Sequence, residues 1–588
     1  MQTIISLLQD IAKEAIRQAF EQDLSQDPQL LDAEVSQSTQ SQFGHYQCNN
    51  ALKLGKALKK NPRVIADEIS AHFTRLHKGI VLIDKLEIAG PGFINITLSN
   101  EYLSVRAHAI LFDPRVGVSL PARRQKIVVE FSSPNVAKEL HVGHIRSTII
   151  GDALARLFEF LGHDVLRLNH IGDWGTQFGM LITYMQQHVP QVLESKEATD
   201  LSHLLQWYKA SKKAFDEDPH FKKRAQLKVV DLQSGDSETL RAWEMICEIS
   251  RRAFNEIYAL LDVKLVERGE SFYNPYLSKV IEDLESKGLI VISDGAKCVF
   301  LEGFQNRDGT PLPMIVQKSD GGYNYDTTDM AGVWHRIRME KADRIIYVTD
   351  AGQSLHFAML FKAAEKVGYI DPHKVQVDHV PFGVVLGADG KKFKTRSGET
   401  KKLIDLLLEA VQHAEVIMRE RLPDASPEEI HHMALILGID AVKYADLSCN
   451  RLKDYVFSYE RMLKFEGNTA AFLLYAYVRI QSIKRKVGKN IEEIARSYKI
   501  AIEHPTEVEL ALYLCQFGET LDAMSRDLLP NRLSDYLYSL AEKFHAFFRD
   551  CRVEGSPQEA SRLMLCEVTG RILEKGLSIL GLKTLDRM

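Results

Sequence analysis

The spacing of apolar positions divides the chain into stretches of different kinds. MQTIISLLQDIAKEAIRQAFEQ repeats apolar residues at helical spacing, a second helical pattern follows around Ala51 to Lys60, and GFINITL at Gly92 to Leu98 alternates like a strand. FDPRVGVSLPARRQ, with two prolines and several turn formers, predicts a linker out of this first module. Then KIVVEF (Lys126 to Phe131) is short and β-rich, the turn SSPN follows, a helical stretch runs from His144 to Leu161, and DVLRLNH supplies another strand. Strand, polar turn, helix, strand is the order of a doubly wound parallel sheet. From about Met180 to Ile292 the sequence is mostly helical and highly charged, which predicts an insertion between two halves of that sheet. RIIYVTD (Arg344 to Asp350) and KVQVDHVPFGVVL resume the strands, and beyond about Leu403 nearly everything is amphipathic helix.

The expected architecture is α/β. A Rossmann-like doubly wound parallel-sheet domain occupies residues 116–465 with a mostly helical insertion at about 180–292; an α+β domain precedes it at 1–115 and an all-α domain follows at 466–588. A length of 588 residues is too great for one hydrophobic core, in keeping with this division. The 45% hydrophobic and 26% charged content is ordinary for globular domains that fold without metals or disulfides. The seven cysteines are scattered with no CxxC pair, which argues against a disulfide framework and a zinc site and favours a reducing compartment, the cytoplasm. Acidic residues inside the apolar pattern of the amino terminus argue against a signal peptide or membrane span. With a net charge of −5, a nucleic-acid partner has to be held by local basic patches.

Candidate chemistry clusters after the first strand of the sheet, in EFSSPNVAKELHVGHIRST from Glu130. A polar turn leading into a helix amino terminus offers unpaired backbone N–H groups and a favourable dipole to an anion such as phosphate. His141 and His144 stand at that terminus, and Gly143 between them has no Cβ to keep a base or phosphate from the backbone. No third metal-type ligand lies at a suitable spacing, so no metal site is expected there. Read alone, HVGH serves equally as a helix start whose rings cap the backbone.

Four other stretches carry similar double readings. GADGKKFKTRSGE holds Lys392, Lys394 and Arg396 in a glycine-bounded basic turn, either a phosphate-closing loop or a solvated one. In GGYNYDTTDMAG, Tyr325 and Asp329 are four residues apart and share one face of a helix. A phenol beside a carboxylate suits a planar guanidinium, and the same residues suit a helix cap. In the tail, Tyr475, Tyr477, Arg479, Lys484, Arg485 and Lys486 combine stacking and cationic groups fit for RNA, or a packed helix with wet lysines. Lys53, Lys56, Lys59, Lys60 and Arg63 form a basic cluster in the first module with the same two readings.

PNVAKELHVGH resembles the HIGH motif of class I aminoacyl-tRNA synthetases, and NHIGDWGTQFG is similar to a run of the arginyl-tRNA synthetases. GHYQCNNAL, AGPGFINITL and AVKYADLSCNRLKDYVFSYERML extend the resemblance into every region of the chain. The resemblance implies a monomeric ligase that converts L-arginine and ATP, with Mg2+, to arginyl-adenylate. The arginyl group then passes to the terminal adenosine of tRNA(Arg), with first attack by the 2′-hydroxyl and with bound RNA needed for activation. It puts His141 and His144 at the ATP phosphates. It makes GKKFKTR the counterpart of the mobile KMSKS loop, in which Thr395 stands where the catalytic lysine is usual. Arginyl enzymes of this type carry a lysine three residues before the first motif histidine, here Lys138; Lys391, Lys392, Lys394 and Arg396 remain to close over ATP.

The resemblance also assigns the guanidinium to Tyr325 and Asp329, with Asp329 chosen over Asp326 by the register of the match. Gln353, 24 residues after Asp329, and Glu130 and Asn135 fall at the amino-acid site. The carboxy-terminal helices correspond to a DALR domain that reads the anticodon, and the first module to a domain that meets the outer corner of the RNA. Two rivals stand beside this reading. A class I synthetase of another specificity, such as cysteine or methionine, is opposed by NHIGDWGTQFG, by Asp329 and by the missing zinc spacing. A non-catalytic synthetase-like RNA-binding protein is opposed by the intact Lys138, His141, Gly143 and His144.

Overall fold

The computed structural model describes residues 1–23, 27–194, 199–387, 389–391 and 401–588. The expected positions Lys392, Lys394 and Arg396, with Thr395, lie outside the described residues.

The central sheet is built from β1 (Lys126–Glu130), β2 (Asp164–Asn169), β3 (Val266–Glu267), β4 (Arg344–Asp350) and β5 (Gln376–Phe382). Its order is β5-β4-β1-β2-β3, and every neighbouring pair is parallel. The inner strands are continuous apolar runs because both faces are covered: Ile127, Val128, Val129, Ile345, Ile346 and Val348 are fully buried. Helix α1 (Val142–Leu161) joins β1 to β2, α2 (Tyr325–Arg338) precedes β4, and α3 (Ser354–Val367) joins β4 to β5. Gly151 lets α1 lie directly on the sheet, since a Cβ there would stand 2.2 Å from the Phe131 side chain. The chain reverses its direction of winding between β1 and β4, and at the carboxyl ends of those strands an open α/β sheet offers a cleft to ligands.

Two features have no counterpart in the sequence patterning. Strand β3 is two residues long and exposed, with no alternation to reveal it, and it pairs with Leu168 and Asn169 at the sheet edge. An antiparallel sheet of Val291–Ser293, Ala296–Gln305 and Pro311–Gln317 stands where only helical and loop text is legible. Its strands are interrupted by charge and turn residues, and Pro311 and Pro313 speak against a strand on local grounds.

The amino-terminal region folds as an antiparallel sheet ordered Val35–Gln37, Tyr46–Cys48, Phe93–Leu98, Ile83–Ala89, with helices Ile4–Phe20, Asn50–Leu58 and Pro62–Ala71. The segment after Thr176 is helical through Thr176–His188, Leu201–Glu217, Pro219–Ser234 and Ser237–Leu260. Past Ala470 the described chain is helical. No helix among the described residues is long and apolar enough to cross a membrane.

Buried polar contacts tie these regions together. Glu519, in the carboxy-terminal helices, accepts bonds from Ile5 N (2.9 Å), Gln37 Nε2 (2.6 Å) and Tyr46 OH (2.8 Å). Arg146 of α1 and Asp446 of helix Pro427–Leu447 form an ion pair at 3.1 Å with side chains 1% and 0% exposed. On the same helix, the buried Lys443 ammonium donates to Leu261 O (2.7 Å) and Gly581 O, while Asp440 Oδ2 accepts from Lys583 N (2.9 Å).

Candidate active site

The loop from β1 to α1 is held in an unusual backbone course. Ser132, Ser133 and Ala137 have positive φ (69°, 46° and 58°), a conformation side chains other than glycine adopt reluctantly. Neighbours hold each in place: Ser132 N donates to Ser147 Oγ (2.9 Å), Ser133 N to Asn169 Oδ1 (3.0 Å) and Ala137 N to Ser250 Oγ (3.0 Å). The loop thus delivers the start of α1 to the carboxyl end of β1.

There the two histidines cap the helix reciprocally. His141 Nδ1 accepts from Gly143 N (3.0 Å), and His144 Nδ1 accepts from His141 N (3.1 Å). A ring nitrogen that accepts carries no proton, so each neutral imidazole bears its hydrogen on Nε2. Burial and the positive charge of Lys138 hold both rings below the usual histidine range; for His144 burial, with His141 and Lys138 beside it, brings the value to about 3. The caps engage Nδ1 of each ring and leave Nε2–H as a neutral donor. Gly143 has a tighter reason than ligand access, because a Cβ there would stand 2.8 Å from the His141 ring.

Acidic groups gather at the ends of β2 and α2. Asp329 is half-buried, its Oδ2 2.7 Å from His356 Nε2; its Oδ1 has His170 Nε2 only at 3.9 Å. Asp326 is buried, its Oδ1 3.3 Å from His356 Nδ1. Although burial opposes it, bonding to Asp326 and Asp329 raises His356 to about 10, so this ring is a cation at neutral pH. Glu270 is pushed up to about 7 by burial and by repulsion from Asp329 and Asp173. Asp173 is itself raised by burial although Ser271 N (2.8 Å) and Oγ (2.6 Å) donate to it. This much like charge, answered chiefly by one imidazolium, is an environment that gains by taking in a planar cation. Tyr325, 58% exposed, turns its ring edge-on to His356 at 5.3 Å, at the mouth of the group.

The remaining expected positions differ in burial and in partners. Glu130, at the end of β1, is buried and its Oε2 is taken by Arg336 at 2.5 Å; Arg336 lies 5.0 Å from the Tyr347 ring centroid. Asn135 is exposed and bridges to Gly172, where a Cβ would stand 2.1 Å from Asn135 Oδ1. Gln353 is exposed in the turn Ala351–Gln353 directly after β4. Lys138 is exposed. Lys391 closes a turn by accepting from Gly387 N (2.8 Å). Beyond Lys401, the backbone of Lys402 bridges to His141, Leu403 N donates to Leu140 O (2.9 Å), and Lys402 Nζ pairs with Glu139 at 2.6 Å. Lys402 and Leu403 thus lie beside the segment that carries the imidazoles.

Of the tail residues, Tyr477 is buried, Lys484 pairs with Glu567 at 2.5 Å and Arg479 bonds Tyr475 OH at 2.8 Å, while Arg485 and Lys486 are exposed. In the first module Lys53 pairs with Glu34 (3.2 Å) and Lys60 with Asp23 (3.7 Å); Lys56, Lys59 and Arg63 are exposed. Sequence reasoning missed Glu270, His356, Asp173 and His170. Only the repeated acid-and-histidine composition of NHIGD, RGES and QSLHF hints at them.

Family models match the chain in three places: the arginyl-tRNA synthetase N-terminal domain at residues 6–98, the class I (R) tRNA synthetase catalytic domain at 107–459 and the DALR anticodon-binding domain at 473–588. An arginine–tRNA ligase of Protochlamydia amoebophila is 59% identical over the whole of both chains. One of Crocosphaera subtropica is 52% identical over 95% of this chain and 96% of its own. The crystal structure of the arginyl-tRNA synthetase of Plasmodium falciparum superposes with a TM-score of 0.87 at 33% identity, covering all of both chains. With this sheet, these two capping imidazoles and that full-length likeness, the chain belongs to the arginyl-tRNA synthetases of class I.

Proposed function

We propose that the protein is an arginine–tRNA ligase: it joins L-arginine and ATP into arginyl-adenylate, releasing pyrophosphate, and passes the arginyl group to the 3′-terminal adenosine of tRNA(Arg). What supports this reading is that the segments bearing two Nε2–H donors and those bearing members of an under-neutralised acid group follow neighbouring parallel strands of one sheet. His141 and His144 donate to the triphosphate and Lys138 supplies the cation, while Lys392, Lys394 and Arg396 add further cations over ATP. Donors fixed in advance stabilise the charge that builds on the departing phosphates more than they stabilise bound ATP. Asp329 takes the guanidinium, with Tyr325 at the mouth and Glu270 as a second acid. Asn135, Gln353 and Glu130 border the amino-acid end, Glu130 through its pairing with Arg336.

The domain assignment follows the same reading: 1–115 meets the outer corner of the RNA, 116–465 performs the chemistry and 466–588 reads the anticodon. Magnesium enters with ATP, RNA is bound before activation, attack on the adenylate is by the 2′-hydroxyl, and the protein acts as a cytoplasmic monomer. The test is amino-acid-dependent pyrophosphate exchange across the twenty amino acids, with and without tRNA(Arg). Exchange with arginine alone and only with RNA present is expected; exchange with another amino acid, or with none, overturns the proposal.

Glu270 gives this site a pH dependence. Guanidinium binding favours the ionised carboxylate, so below its value of about 7 arginine must expel a proton to bind. The KM for arginine is expected to rise toward acid with a limiting slope of about ten-fold per pH unit and to level off on the alkaline side. Glu270→Gln should remove the slope between pH 6 and 8; a profile unchanged in that variant would place the proton elsewhere.

A further inference from the structure

Lys138 is carried by the β1–α1 loop, yet its surroundings belong to the helical insertion. Val136 and Ala137, the residues before it, are buried in one apolar cluster with Phe178, Leu181, Leu204 and Ile246 of the inserted helices. Ala137 keeps its positive φ while its N–H is held by Ser250, a fully buried side chain of helix Ser237–Leu260. The adjacent carboxylate, Glu139, is occupied by Lys402. Among the described residues Lys138 has no ion-pair or hydrogen-bond partner. Its ammonium instead stands 6.0 Å from the ring centroid of Tyr208, on helix Leu201–Glu217, at the outer reach of a cation–π contact. Tyr208 is partly buried against the same apolar cluster, so its ring is a seat fixed by the insertion.

We propose that Tyr208 is a positioning residue for Lys138: its ring face seats the ammonium, so that the insertion and not the sheet sets where this charge stands relative to the two imidazoles. The inference rests on the role given to Lys138 under Proposed function. A flexible lysine side chain has many rotamers, and a seat that narrows them raises the fraction of molecules in which the charge already faces the phosphates. The ring is required for its face and not for its hydroxyl.

The experiment is arginine-dependent pyrophosphate exchange at saturating tRNA(Arg), with ATP and arginine varied separately, for Tyr208→Leu and Tyr208→Phe in both the parent and the Lys138→Ala background. Tyr208→Leu is expected to lower the kcat/KM for ATP about five-fold, as fits a partly exposed cation–π contact, with the KM for arginine unchanged. Tyr208→Phe should work at the parent rate, and in the Lys138→Ala background Tyr208→Leu should cost nothing further. An equal loss in both backgrounds, no loss in the parent, or a Phe variant as poor as the Leu variant overturns the inference. Lys138→Ala separates the two claims. If that substitution leaves exchange untouched, the lysine has no role at the phosphates and this inference falls with it; if it cripples exchange while Tyr208→Leu does not, only the inference about Tyr208 is lost.

Discussion

Asp329→Asn is expected to raise the KM for arginine about a hundred- to a thousand-fold while leaving the KM for ATP within about two-fold of the parent. A half-buried carboxylate that meets a guanidinium loses about 2–5 kcal/mol when its charge is removed, since the remaining cation is left facing a neutral amide. Asparagine keeps the size of the side chain and can still accept from His356, so the loss belongs to charge. The free enzyme already engages Asp329 Oδ2 with His356, and the ligand must share or displace that bond. Asp326→Asn is the informative control. Asp326 is buried and turned to the other ring nitrogen of His356, so its removal should weaken arginine binding only by loosening His356. Steady-state kinetics with arginine varied decides between the two acids, and a larger defect at Asp326 would transfer the guanidinium contact to it.

His141→Asn separates the two jobs of the first motif histidine. Asparagine is among the best residues at a helix N-cap, so α1 should keep its stability, whereas His141→Ala should lose about 1 kcal/mol in urea unfolding. Neither replacement carries the Nε2–H donor. Both variants are therefore expected to lose about 10²–10³ in kcat for pyrophosphate exchange, the usual cost of removing one fixed donor to a developing charge. A fully active Asn variant would reduce His141 to a cap and leave the phosphates to His144 and Lys138.

How much of this was legible before folding depended on how local each signal is. The inner strands β1 and β4 announce themselves as apolar runs because burial on both faces removes alternation, and α1 follows from a turn and a long apolar helix. Strand β3 is set by its neighbour alone: Val266 and Glu267 are exposed and owe their extended form to the edge of β2. The imidazole pair was readable because its members are three residues apart. Of the acid group only Asp329 was named from the sequence, through the resemblance; Asp173, Glu270 and His356 come from three other segments and share its character only once the chain brings them together. Tyr477, whose helical spacing allowed either an RNA contact or a packed core, is buried in the helical core.

The Lys443 ammonium, bonded to carbonyls of Leu261 and Gly581, joins three distant stretches of chain at one charge. Swinging the last helices outward would take Gly581 O from that ammonium, which Asp152 and Asp440 also attract, and a lost bond to a buried charged group costs about 1.5–3 kcal/mol. Burial already lowers its proton affinity, so it has little margin to lose partners. One buried ammonium thus couples the placement of the carboxy-terminal helices to that of the insertion's last helix, so loosening either end of this contact is felt at the other.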